Sequence, residues 1–139
     1  MRYRAIAFVL MLIACTSATG QKSSDPIGEA FFAPEMVMQH QQAIELTDVQ
    51  KEALRQAMRE AQLQFTDQQW ALQDEVAAMA TLIGTPRVDE ERVLAQLQKV
   101  LAAEREVKQT QIRLLVRIKN LLTEAQQEQL RKLRTKNQP

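Results

Sequence analysis

Between Glu35 and Gln138 the chain has one glycine, Gly84, and one proline, Pro86. A helix is therefore given a single strong stop in about a hundred residues. What flanks that stop is periodic. Leu54, Met58, Ala61, Phe65, Leu72, Val76, Met79 and Ile83 follow steps of three and four, with the gap filled by Gln68 or Gln69. This is one apolar stripe on a long helix. Beyond the stop, Val93, Val100, Val107, Leu114 and Leu121 recur every seven residues. Leu94, Leu101, Leu115 and Leu122 make a second row beside them, interrupted by Lys108. Two adjacent rows give a wide apolar face, which asks for more than one packing neighbour. Ala, Leu, Gln, Glu, Lys and Arg dominate the chain, and these are strong helix formers.

The starts of these helices are also written in the sequence. Leu46-Thr47-Asp48-Val49-Gln50 is a capping box: Thr47 accepts from the N–H of Gln50, and Gln50 reaches back to the N–H of Thr47. Asp48 and Glu52 place negative charge where the helix dipole favours it. Gly84 suits the position after the helix, and Pro86 forbids continuation. Asp89 is the expected N-cap of the next helix, with Glu90 and Glu91 in its first turn. The capping box then returns as Leu122-Thr123-Glu124-Ala125-Gln126, opening a short helix that ends near Arg134. The two stretches match further, as LTDVQKEALR from Leu46 and LTEAQQEQLR from Leu122. Lys51 and Gln127 hold the positions of a strict hydrophobic staple, so Leu54 and Leu130, a turn later, are expected to replace it. Pro34 fits the first turn of another short helix running to about Gln42.

The fold class expected is all-α, with four helices: a long antiparallel hairpin and two short flanking helices. Each long helix is on the order of 50 Å at about 1.5 Å per residue. The short Gly84–Asp89 connection sets them antiparallel. A body this thin, with a wide apolar face left over, predicts a dimer. The alternative is a monomer whose short helices fold back over that face.

The N-terminus reads as an export signal. Arg2 and Arg4 precede AIAFVLMLIA, an uncharged run too short to span a bilayer. The run ends in Leu12-Ile13-Ala14-Cys15, which resembles a bacterial lipobox. That resemblance implies cleavage before Cys15 and lipidation of its thiol, and Thr16 after it favours the outer membrane. Cys15 is the only cysteine, so no intramolecular disulfide is possible. The competing reading is an ordinary signal cut near Ala18, with Cys15 discarded. The expected organisation is a signal over 1–14, a lipidated Cys15 and flexible tether over 15–32, and a helical domain over 33–136. Thr16 to about Gly28 is small, polar and aperiodic, and order is expected to begin near Phe31. Removing the signal removes two of the 18 Lys and Arg residues and none of the 17 acidic ones. The remainder is close to neutral, which excludes a general nucleic-acid footprint.

A pair of Leu-Thr-x-x-Gln motifs, one opening a long helix and one near the end of a small exported helical chain, resembles the Spy/CpxP family of periplasmic proteins. The related metal-resistance sensors of the CnrX type share it. The resemblance covers about Pro34 to Arg134. It implies a four-helix protomer forming a curved antiparallel dimer. It implies an ATP-independent chaperone that holds unfolded polypeptide, a restraint on a membrane-bound stress regulator, or a heavy-metal sensor signalling to a membrane partner. None of these is enzymatic.

Two residue sets are candidates for function. Leu63, Trp70 and Ala77 are spaced by seven on the side of their helix opposite Leu72, rimmed by Gln56, Arg59 and Asp74. They form a face for an unfolded client or for a dimer mate. Met36 and His40 share a helix face, with Met38 pointing away, and thioether plus imidazole leans toward copper(I) as a cofactor. Two ligands are too few, so such a site needs Met58, Met79 or a dimer mate; core packing of Met36 is the plainer reading. For an enzyme the sequence offers no Gly-rich phosphate loop, Ser/His/Asp set or Cys/His pair, so no catalytic residue is assigned. A third class is a lipoprotein whose helices only dock on a partner.

Overall fold

The computed structural model describes residues 26–136, and every regular element among them is a helix. The order is α1 (Pro26–Ala30), α2 (Pro34–Gln39), α3 (Asp48–Ile83), α4 (Glu90–Leu121) and α5 (Glu124–Lys136). The last four are the helices anticipated. The single turn α1 falls inside the stretch read as tether. Cations hold the backbone at its C-terminal end: Lys119 Nζ donates to Ala30 O at 2.9 Å, and Arg134 donates to Glu29 O at 2.8 Å and to Phe31 O. These are the carbonyls that a helix end leaves without partners.

Helix α2 is shorter than expected and gives way to turns over residues 40–45. The chain leaves them through a Schellman-type closure: Leu46 N–H donates to Gln41 O and Glu45 N–H to Gln42 O. Glu45 takes the left-handed position of that closure, at φ 52°. The turn brings both Ile44 and Leu46 into the core.

The long helices α3 and α4 pack together along their length. Their cross-links run in a definite sense. Gln50 Nε2 donates to Leu121 O, Arg117 bonds Glu60, Gln68 donates to Thr110, and Gln96 donates to Glu75. Residue numbers on α4 fall as those on α3 rise. Helix α3 has 36 residues and α4 has 32, or roughly 54 and 48 Å at about 1.5 Å per residue. Asp89 caps α4 as expected, accepting from Arg92 N–H at 3.2 Å. Gly84 ends α3 with φ −70°, a right-handed value, so its left-handed freedom is not used. What glycine supplies there is room: a Cβ would lie 3.2 Å from Ala80 O.

Burial is concentrated at one end. Phe32, Val37, Ile44, Leu46, Leu54, Ile118, Leu122 and Leu130 form one core, with Met36, Met38, Met58, Leu114, Leu121 and Leu133 packed on it. All four leucines of the two motif stretches are in it, Leu54 and Leu130 included. Between residues 62 and 117 only Gln96, Val100 and Thr110 are buried, and two of these are polar. The distal part of α3 and α4 therefore has little dry core of its own.

Candidate functional site

The two capping boxes meet in space. Both form: Thr47 Oγ1 accepts from Gln50 N–H and Thr123 Oγ1 from Gln126 N–H, each at 3.2 Å. Gln50 Oε1 accepts from Thr47 N–H at 3.0 Å, and Gln126 Oε1 from Thr123 N–H at 2.9 Å. The two glutamines also bond each other. Gln50 Nε2 donates to Gln126 Oε1 at 2.8 Å, and Gln126 Nε2 donates to Gln50 Oε1 at 3.0 Å. The second proton of each amide goes to a backbone carbonyl just before the other box. Gln50 Nε2 donates to Leu121 O at 2.7 Å and Gln126 Nε2 to Ile44 O at 3.3 Å. Every amide N–H of the pair is used. The sequence displayed two equivalent boxes; it did not show that each completes the other. The near-repeat of ten residues was the available signal.

This cluster is neutral and satisfied, with no nucleophile and no titratable group among its bonds. Its work is positional: it ties the start of α3 to the start of α5. Next along α3, Glu60 and Arg117 form a half-exposed pair at 2.6 Å. The hydrogen bond from Arg117, helped by one from Gln56 and by the Arg117 charge, lowers the Glu60 pKa below its ordinary value.

The distal stretch carries most of the exposed large apolar side chains. Leu63 is 70% exposed and Trp70 63%, on the outward face that also holds Ala77. Val76 and Ile83 on α3, and Leu94, Leu101, Ile112 and Val116 on α4, are also exposed. Leu94 and Leu101 are the distal members of the second seven-residue row and are left open, whereas Leu115 is half-buried and Leu122 lies in the core. Only Val100 of the first row is fully buried. The rim of the Trp70 row is exposed too, and Arg59 bonds Glu52 within α3 at 3.0 Å.

The methionine and histidine candidates sit at the other end. Met36 packs on the core, and an Arg134 nitrogen lies 3.8 Å from its Sδ. His40 caps α2, its backbone N–H bonded to Met36 O at 3.1 Å. Met38 also packs on the core. Among the described residues no group of three or more His, Cys, Asp or Glu side chains is placed to hold a metal ion. Cys15 and Thr16 lie outside the described residues, as does the signal. No helix among the described residues is long and apolar enough to cross a membrane. No family model, curated protein or solved structure matches this chain.

Proposed function

We propose that the chain is a non-enzymatic envelope lipoprotein, anchored through a lipid on Cys15, that holds unfolded polypeptide without nucleotide. In this reading α3 and α4 are an antiparallel hairpin and two copies form a dimer. The residue after the lipid site, Thr16, directs it to the outer membrane. The observation that carries the proposal is the open apolar face of the long helices, above all Val76, Ile83, Leu94 and Leu101. Contiguous exposed apolar surface marks a site of interaction. A shallow apolar face suits extended apolar segments of varied sequence, held weakly. The paired Leu-Thr-x-x-Gln boxes support the same reading through the family they resemble.

The metal-responsive reading lacks a comparable observation. Arg134 places a fixed cation against the Met36 thioether, where a metal ion would have to approach. The test of the first reading is light scattering of an aggregating client mixed with the full chain at a one-to-one ratio. The wild-type chain is expected to suppress scattering, and Leu94→Ser with Leu101→Ser to suppress it at least several-fold less. Scattering that proceeds unchanged with the wild-type chain refutes the proposal.

A further inference from the structure

A groove runs between α3 and α4 near their distal ends. Leu82 lies in it, Ala78 and Ala95 leave it open, and Arg92 and Lys99 stand on its α4 side. Arg92 and Lys99 are seven residues apart, exposed, and in no ion pair among the described residues. The outward face of α3 carries the complement. Asp67 and Asp74, also seven apart, exposed and in no such ion pair, flank Leu63, Trp70 and Ala77. Seven residues advance a helix by about 10 Å, so the two acids match the two bases in interval as well as in sign.

We propose that the groove is filled by α3 of a second copy, with Trp70 of each chain seated between Ala78, Leu82 and Ala95 of the other. This rests on the dimer of the preceding section and names its contact surface. A twofold axis near Glu75 sets the two α3 helices antiparallel. Each residue then lies level with one equally far beyond Glu75. Trp70 of the second copy falls level with Ala80, within the groove. Numbers on α4 fall as those on α3 rise, so the second α3 runs in the same direction as the first α4. Asp67 of the second copy then follows Arg92, and Asp74 of the second copy follows Lys99. The axis makes the contact isologous, so both grooves are filled and both acid pairs are used at once. The arrangement supplies cover for Trp70, a favoured interface anchor, where the protomer buries only Val100 among its apolar side chains from 62 to 117. It leaves the row of Leu94 and Leu101 open.

The test is charge reversal with reciprocal rescue, read by sedimentation of the full chain in mild detergent at micromolar concentration. All four charged residues are exposed, so reversal leaves the helix core intact. The wild-type chain is expected as a dimer. R92E/K99E and D67K/D74K, each alone, oppose like charges twice across the axis and are expected as monomers, weakened by about 100-fold or more. Mixed one to one, they restore attraction at both contacts and re-form a dimer. Trp70, the only tryptophan, reports the same change: its emission shifts to the red in each variant and returns on mixing. A monomeric wild-type chain, variants that stay dimeric, or a mixture that stays monomeric each overturns the proposal. The scattering assay reads the Leu94 face separately, so failure of the client reading is distinguishable from failure of this one.

Discussion

Replacing Gln126 by alanine tests whether the joined boxes hold the fold. Gln126 is buried, and its side chain makes four hydrogen bonds. It accepts from Thr123 N–H and from Gln50 Nε2, and donates to Gln50 Oε1 and to Ile44 O. A net value of about 1 kcal/mol per bond gives a loss of about 3 to 4 kcal/mol. Gln50→Ala removes the same two shared bonds and those to Thr47 N–H and Leu121 O, and is expected to cost about 3 kcal/mol, since Gln50 is only half-buried. The double variant is the decisive measurement. The two shared bonds are lost once, so it is expected to fall short of the summed single losses by about 2 kcal/mol. Thr47→Ala, which removes the cap and the Thr47 hydroxyl bond to Gln50 Oε1 but leaves both bonds between the glutamines, is the control at about 1 kcal/mol. Urea unfolding followed by far-UV circular dichroism reads all four chains, with an unchanged m-value as the condition for comparison. Additivity of the two glutamine losses to within about 0.5 kcal/mol would refute the idea that the boxes complete each other.

Gln68 donates to Thr110 at 2.9 Å, but its Oε1 is buried without a bond partner. Gln68→Leu with Thr110→Val is therefore expected to raise stability by about 1 kcal/mol, whereas Thr110→Val alone lowers it by about as much; a destabilised double variant would show that the amide is better satisfied than this. The Glu60 pKa is lowered chiefly by its hydrogen bond to Arg117. The charged form is favoured in the fold, so its contribution is present above the ordinary glutamate range and is lost as pH falls through the lowered value. Exposure keeps that contribution small. A carboxyl NMR titration is expected to place Glu60 below an ordinary glutamate and Arg117→Ala to bring it most of the way back; an unmoved midpoint sinks the assignment.

The elements that sequence made legible are those fixed by local chemistry. Thr47, Asp89 and Thr123 cap their helices as read, because a cap is decided within four residues. The residue type of Gly84 points to a left-handed conformation, but φ stays right-handed, and a Cβ there would make a tight contact with Ala80 O at 3.2 Å. The helix through Gln42 was read too long because no glycine marks the reversal, and Glu45 takes the left-handed position instead. The mutual bonding of Gln50 and Gln126 links residues 76 positions apart, which no local pattern encodes. The clamp on the end of α1 has no sequence signal for the same reason. Arg134 and Lys119 bond backbone carbonyls there, and a carbonyl is present at every residue.

The distribution of polar groups separates two duties along one pair of helices. At the base, α2, α3, α4 and α5 share a core, and the glutamine pair adds bonds that depend on neither charge nor pH. A neutral, fully bonded amide pair fixes alignment without the desolvation cost of a buried ion pair. Toward the distal end the seam holds Gln68 with Thr110 and Gln96 with Glu75, which keep α3 and α4 in register. They do so at the expense of apolar packing, since Gln68 stands where the α3 stripe calls for an apolar residue. Few buried apolar side chains are the physical mark of low local stability. The apolar groups spared from that seam are displayed on the outside, at Trp70, Leu94 and Leu101. On the two proposals above, such a region is completed by what binds to it, a second copy on the Trp70 side and an unfolded segment on the Leu94 side. The glutamine pair holds the base in place without drawing on the distal seam.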